Sequence, residues 1–256
     1  MNKDSKISII TPSFNQGEYI ERTIQSVLQQ EVNFTFEYIV VDGGSTDETV
    51  DILKKYSERI KWISEKDRGQ SDALNKGISI ASGDIIGYLN SDDIYFPGTL
   101  QKVADQFTLI PEKIWLYGMA RMIDDQDVEI RKWISWYKKI ISGTYSYHRL
   151  LCENYISQPA VFFKKEAFDS VGAFDLKLHY AMDYDLWLRL TRVSPPVVIK
   201  DDLAAFRMHK HSKSSLNYKN LFVEQYQVHQ RYDHNRWLLL KHRVTIAFIL
   251  MIYRFL

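Results

Sequence analysis

The chain has 256 residues, with 33 Lys and Arg against 32 Asp and Glu, and a formal net charge of +1. That length supports one large domain or two small ones, and 45% hydrophobic with 25% charged residues excludes wholesale disorder. The near-zero charge argues against a dedicated nucleic-acid binder, and a single cysteine, Cys152, excludes an intramolecular disulfide framework or a cysteine-rich zinc site.

Met1 to Lys6 leads straight into a short apolar segment without the long apolar region of a secretory signal, so a cytoplasmic location is expected. Ile7 to Ile10 reads as a short buried strand ended by Thr11-Pro12. Glu18 to Gln30 reads as a helix, with Ile20, Ile24, Val27 and Leu28 at helical spacing. Phe36 to Val41 is a second strand, closed by Asp42-Gly43-Gly44-Ser45, and Thr46 to Tyr56 returns to a helical pattern. Ile60 to Ser64 is a third strand, Ser71 to Ile80 a helix, and Ile85 to Leu89 a fourth strand running into Asn90-Ser91-Asp92-Asp93. Repeated strand–helix alternation predicts an α/β fold with a mostly parallel sheet flanked by helices. Ligands of such sheets bind beyond the carboxyl ends of the strands.

After Pro97 the alternation weakens. Leu100 to Leu109 reads as a helix and Trp115 to Met122 as a strand, while Ile134 to Leu151 is aromatic-rich and fits either type. Gln158 to Phe163 reads as a strand, Ala181 to Arg192 as a helix, and Pro196 to Phe206 as one or two strands around a turn. No linker divides the two halves, which are expected to share one sheet. From Trp237 onward, apolar runs are broken by Lys241-His242-Arg243, too early for a spanning helix of about 20 residues. A basic amphipathic helix on an anionic membrane surface, and a helix packed on the domain or on a second subunit, both fit.

Several segments carry candidate chemistry. Closely spaced carboxylates after Leu89 offer hard oxygen ligands suited to Mg²⁺ or Mn²⁺, and serve equally as a turn or helix cap before Ile94. In Val40 to Asp47 the glycines let backbone approach a ligand, and Asp42 at a strand end can accept from a base or ribose donor. Ser45 or Thr46 could instead cap the next helix. Neither a dinucleotide glycine fingerprint nor a phosphate loop ending in Gly-Lys-Ser/Thr is present. The polar stretch Glu65 to Gly77 suits a solvated loop or the wall of a donor pocket. On a helix, Asp183 and Asp185 point about 200° apart, so only one can face a given pocket. Asp183 in the first turn is placed to act as a general base, although both acids also favour a helix N-terminus. Phe206 to Ser214 gathers cations and imidazoles that could meet phosphate, with His209 a metal ligand or a structural histidine.

In this order, over about residues 6–215, these segments resemble family 2 glycosyltransferases of the GT-A fold. Thr11-Pro12-Ser13-Phe14-Asn15 is similar to the family's first nucleotide loop, and Asp42 matches the aspartate that meets the nucleobase. Asn90-Ser91-Asp92 resembles the Asp-x-Asp motif, with Asp92 at the metal-ligating position. Asp183 matches the catalytic base that ends the Glu-Asp motif, and Arg207-Met208-His209 through Ser214 is similar to the Arg-x-His-x-x-Ser-x-Ser loop near the diphosphate. Two positions depart from the pattern: Asn90 replaces the first aspartate and Met182 replaces the glutamate.

The resemblance implies a GT-A (Rossmann-like) domain over 1–215, with 1–95 as its nucleotide-binding half, 96–215 as its acceptor half, and a C-terminal helical extension over 216–256. It implies inverting transfer of a sugar from a nucleotide diphosphate donor, a UDP-sugar first, to an acceptor hydroxyl in surface polysaccharide or glycolipid biosynthesis. Thr11, Pro12, Phe14, Asp42, Asp72, Asn90 and Ser91 are then expected at the nucleotide. Asp92 and His209 are expected at Mn²⁺ or Mg²⁺, Asp183 as the base, and Trp136 and Trp187 on the acceptor side. Expected partners are the donor and a saccharide or lipid-linked saccharide acceptor, with no nucleic acid. Peripheral contact of the C-terminal helix with the inner face of the cytoplasmic membrane is also expected. Two rivals remain: an inactive sugar-nucleotide binder, which Asn90 and Met182 favour, and a nucleotidyltransferase. The second lacks support because the turn Thr11 to Gly17 carries no cation.

Overall fold

Strands covered on both faces read as unbroken hydrophobic runs, and Ile7–Ser13 is buried at every position. A computed structural model describes residues 6–210 and 212–253, so the ends of the two terminal segments read above, and His211, lie outside the described residues. In chain order the first half holds β1 (Ile7–Ser13), α1 (Ile20–Leu28), β2 (Phe36–Asp42), α2 (Thr49–Lys55), β3 (Lys61–Ser64), α3 (Gln70–Ile80), β4 (Ile85–Tyr88) and β5 (Ile94–Tyr95). There follow α4 (Thr99–Leu109), β6 (Trp115–Ile123), α5 (Lys132–Ser142), α6 (Tyr147–Cys152), β7 (Val161–Lys164) and α7 (Ala167–Val171). The chain closes with α8 (Met182–Val193), β8 (Val197–Arg207), α9 (Lys213–Leu216), α10 (Tyr218–Tyr232) and α11 (Arg236–Tyr253).

The strands form one sheet in the order β3-β2-β1-β4-β7-β6-β8-β5, which joins both halves of the chain. The first four strands are parallel, whereas β7 runs antiparallel to β4 and β6, and β5 antiparallel to β8. Alternate residues feed two cores. Ile7, Ile9, Tyr38 and Val40 pack with α1, α2 and α4 on one face, and Ile10, Ile39 and Val41 with α3 and α8 on the other. A Cβ at Gly77 would stand 2.5 Å from Ile10 Cγ2, so glycine is what lets α3 lie close on β1. Among the described residues no helix is long and apolar enough to cross a membrane.

The structure corrects several local expectations. β1 continues through Thr11-Pro12 to Ser13, because its pairing with β2 runs to Asp42 while its pairing with β4 stops at Tyr88. Ile10 O accepts from Leu89 N, so Pro12, two residues on, faces the same edge beyond the end of β4, where a missing N–H breaks no ladder. Gln158–Ala160 is a 3₁₀ turn rather than strand, with Pro159 in it. Pro196 to Phe206 becomes a single strand, and the ambiguous aromatic stretch divides at Gly143 into two helices.

One buried carboxylate ties the sheet edge together. Glu37 accepts from Ser8 Oγ at 2.5 Å, Lys61 Nζ at 2.9 Å and Ser82 Oγ at 2.8 Å, and from the Ser82 amide. Burial works to raise its carboxyl, but these donors outweigh burial and hold it down at about 2. A depressed carboxyl stabilises the fold above its unfolded value, and that contribution is lost as pH falls through the folded one. Glu37→Gln is therefore expected to cost on the order of 3 kcal/mol at neutral pH. It should also flatten the loss of stability between about pH 5 and 2, which urea midpoints across that range would measure.

Candidate active site

The end of β4 is held by amide chemistry. Gln158 Nε2 donates to Tyr88 O at 2.8 Å. Asn90 Nδ2 donates to Gln158 Oε1 at 2.9 Å and to Asp93 Oδ2 at 3.2 Å, and Asn90 Oδ1 accepts from Gln70 Nε2 at 2.7 Å. Lys213 Nζ extends the chain by donating to Gln70 Oε1 at 3.2 Å. Asp93 itself is fully buried, and burial first, then the neighbouring Asp92, pushes its carboxyl well above the ordinary range. An aspartate at position 90 would withdraw two donors and add a third carboxylate here. The amide is what this local network accommodates.

Arg207, at the end of β8, is completely buried. Its backbone N donates to Asp93 Oδ1 at 2.9 Å, its Nε to Asp92 O at 2.7 Å and its Nη1 to Asp124 O at 2.6 Å, and the guanidinium also pairs with Asp127. The Tyr19 ring lies under it, 5.5 Å away. Arg207 thus shapes the loop and positions Asp92 rather than reaching out to a ligand. His209 Nε2 stands 3.1 Å from Asp92 Oδ2, and Tyr19 sets its ring at a centroid distance of 4.4 Å. Its buried Nδ1 has no partner.

These two residues fit a divalent ion of the Mg²⁺ or Mn²⁺ type. Among the described residues no three His, Cys, Asp or Glu side chains form a metal cage. Asp92 would supply the hard oxygen ligand such a cation prefers and His209 a nitrogen ligand, with phosphate oxygens and water completing its shell.

The other nucleotide-side candidates mostly shape loops. Thr11 Oγ1 is paired with Tyr38 OH at 2.9 Å in the core, and Pro12 is buried, so that turn offers a ligand its backbone and the 59%-exposed ring of Phe14. Asp42 is expected to receive a base or ribose donor, yet its Oδ2 accepts from Gly44 N at 3.1 Å, Ser45 N at 2.9 Å and Ser64 Oγ at 2.7 Å, while Oδ1 takes the Ser45 hydroxyl. Both oxygens brace the turn after β2. Asp72 pairs with Arg68 Nη2 at 2.9 Å and accepts from its backbone N at 3.1 Å, which closes the entry to α3. That entry passes through Gly69 at φ +107°, a region L side chains rarely adopt. Ser91 is buried, and its carbonyl accepts from Thr23 Oγ1 at 2.9 Å.

Asp183 stands in the first turn of α8, half-buried, with Oδ1 accepting from Tyr184 N at 2.7 Å. Burial pushes its carboxyl up to about 6, against the lowering effect of the Tyr184 amide, the Asn154 side chain and the Lys138 ammonium. A carboxylate near that value is suited to take a proton close to neutral pH. Asp185 faces away, bound to Arg189 Nε at 2.9 Å and Tyr232 OH at 2.8 Å. Met182 is buried, its Sδ accepting from Ser71 Oγ at 2.8 Å, where a glutamate would be desolvated. Tyr88 is fully buried, and its hydroxyl is raised well above the ordinary value by burial first and then by the charges of Asp183 and Asp93.

Two acceptor-side expectations part company. Trp136 is 66% exposed on α5, whereas Trp187 is fully buried and stacks on Trp115 at 5.9 Å. Trp187 is a core residue, because its position on α8 faces the sheet. Gln158, Tyr19, Asn154 and Lys138 were not singled out from sequence. Each acts through a partner distant in the chain, and none carries a local signal beyond a polar or aromatic side chain.

A family model described as glycosyl transferase family 2 matches residues 8–172. A glycosyltransferase of Mycobacterium tuberculosis is 32% identical over 212 residues, covering 80% of this chain and 76% of its own length. A glycosyltransferase of Rickettsia typhi is 31% identical over 209 residues, 79% of this chain but 64% of the relative. Chondroitin synthase of Escherichia coli is 29% identical over 74% of this chain, which spans only 27% of that enzyme. Among solved structures, a mannosyltransferase of Pyrobaculum calidifontis in complex with GDP-Man and Mn²⁺ superposes with a TM-score of 0.69 at 16% identity, covering 94% of this chain and 74% of that one. Staphylococcus aureus TarS 1–349 with UDP-GlcNAc gives 0.65 at 18% identity, covering 87% and 65%. At these identities the structural likeness concerns the fold, and it is the GT-A fold. With the family model spanning most of the domain that carries Asp42, Asn90 and Asp92, the chain belongs to glycosyltransferase family 2.

Proposed function

We propose that this glycosyltransferase moves a sugar from a nucleotide diphosphate donor, a UDP-sugar, to an acceptor hydroxyl with inversion at the anomeric carbon. The observation that carries the reading is a half-buried Asp183 whose carboxyl is raised to about 6, acting on the same buried Tyr88 as Asp93, the neighbour of the Asp92–His209 couple. The nucleotide lies over the turns after β1 and β2, against the ring of Phe14 and the backbone that Asp42 and Asp72 brace. Asp92 and His209 are the residues that would hold Mn²⁺ or Mg²⁺. That cation, when bound, supplies charge neutralisation for the departing nucleotide. Asp183 accepts the proton of the attacking hydroxyl, and the sugar passes directly to it with no covalent enzyme intermediate. Acceptors of this chemistry are saccharides, free or lipid-linked, at the inner face of the cytoplasmic membrane.

A thermal-shift panel of UDP, GDP, dTDP and CMP, each with Mn²⁺, Mg²⁺ or EDTA, tests the donor. A nucleotide present at about 100 times its dissociation constant adds about 2.7 kcal/mol of stability, several degrees for this size. UDP is expected to give that shift and EDTA to abolish it. A shift with GDP or dTDP alone overturns the donor base, and no shift with any nucleotide overturns the transferase reading in favour of a domain that no longer binds donor.

A further inference from the structure

Packing explains only one side of α11. His242 is buried against His229 of α10, their Nδ1 atoms 2.6 Å apart, and Cys152 Sγ of α6 donates to Leu238 O at 3.7 Å. The outer side presents Trp237, Leu240, Val244, Phe248 and Met251, exposed by 79%, 50%, 60%, 59% and 50%. At 100° per residue these five fall within a stripe about 80° wide. Exposed Lys241 borders it on one flank and exposed Arg236 and Arg243 on the other, and the helix carries no acidic residue.

A second helix repeats the pattern. On α5, Trp133, Trp136, Tyr137 and Ile140 are exposed by 51%, 66%, 44% and 55% at positions i, i+3, i+4 and i+7. Its charged residues, Lys132, Lys138 and Lys139, are all basic. Glu153, just after α6, lies between them: its Oε2 accepts from Tyr137 OH of α5 at 3.3 Å, and α6 packs on α11. Lys138 also acts on Asp183, and Asn154, next to Glu153, hydrogen-bonds it. Tyr137 at the edge of the α5 stripe, and α11 through α6, therefore both approach the Glu153–Asn154 segment beside Asp183.

We propose that α5 and α11 together form a docking surface for an anionic lipid bilayer, which holds the entrance beside Asp183 at the headgroup layer. Tryptophan at the rim of an apolar stripe, flanked by Lys and Arg, is the chemistry that binds such an interface. A second copy of the chain would bring cations against cations on both helices, which disfavours pairing through this face. The consequence for acceptor choice, a saccharide on a lipid carrier, rests on the transferase reading above. The docking surface does not.

Co-sedimentation of the full chain with vesicles tests it. Binding is expected to phosphatidylglycerol-containing vesicles and not to pure phosphatidylcholine, and to weaken as salt screens the cations. Val244→Glu with Phe248→Glu on α11, and separately Trp133→Glu with Ile140→Glu on α5, should each weaken binding at least tenfold, with unchanged thermal unfolding showing that the exposed sites leave the fold intact. Failure of the parent chain to bind, binding unaffected by either pair, or a dimer that the same substitutions dissociate would each overturn the proposal. The nucleotide shift is measured on the same samples. Vesicle binding without a nucleotide shift sinks the transferase reading alone, and a nucleotide shift without vesicle binding sinks the docking surface alone.

Discussion

Asp183→Asn is expected to lower kcat by at least about 10²–10⁴-fold while the donor nucleotide still binds with near-parent affinity. The amide keeps the shape of the side chain and its bond from the Tyr184 amide, and removes only the capacity to take a proton. Steady-state turnover beside nucleotide thermal shift separates the two effects. The parent enzyme should also lose kcat/KM as pH falls below about 6, the value to which burial raises this carboxyl. The sign follows from the role: a base must be deprotonated to act, so the acid limb belongs to Asp183. Near-normal turnover of Asp183→Asn would remove the residue from the chemistry.

Arg207→Met should be the most damaging single change to stability. It leaves the Asp92 carbonyl without its donor, the Asp124 carbonyl with only the Asp127 amide and the Asp127 carboxylate with only Arg22, and it takes the nearby positive charge away from buried Asp93. Removing one member of a buried ionic network costs about 3–5 kcal/mol, which for a domain of this size lowers Tm by about 10 °C. Because Arg207 positions Asp92 through its backbone, the metal-dependent part of the nucleotide shift should fall along with Tm. Arg207→Lys keeps charge but not the fork that serves three partners, and is expected to recover little. A variant that unfolded like the parent would show that these bonds carry no weight.

Much of the architecture is legible in the one-dimensional pattern. The alternation from Ile7 to Leu89 marks four parallel strands and their helices, since periods of two and 3.6 residues are set by local backbone geometry. The ends of those strands then mark where Asp42, Asn90 and Asp92 must gather. Asp183 and Asp185 are separable for the same reason, because 100° of rotation per residue turns two positions of one helical turn about 200° apart.

What the pattern did not contain is pairing across the chain. Arg207 Nε reaches the carbonyl of Asp92 across 115 positions, and this contact, with no local periodicity, turns a basic loop residue into a buried brace. Trp187 illustrates the converse: a tryptophan two residues beyond an acidic helix start suits a ligand cleft or a core equally, and its stack on Trp115 decides for the core. Asp42 sits at the strand end as its motif requires, but only the folded turn brings Ser45 and Ser64 to both of its oxygens. Neighbours within a few residues set most of the regular elements and the strand ends that carry chemistry, while packing settled the ambiguous ones, Ile134 to Leu151 and Gln158 to Ala160. The tertiary structure alone decided which of those side chains face a ligand and which hold the loops, because that choice is made by partners tens to a hundred residues away.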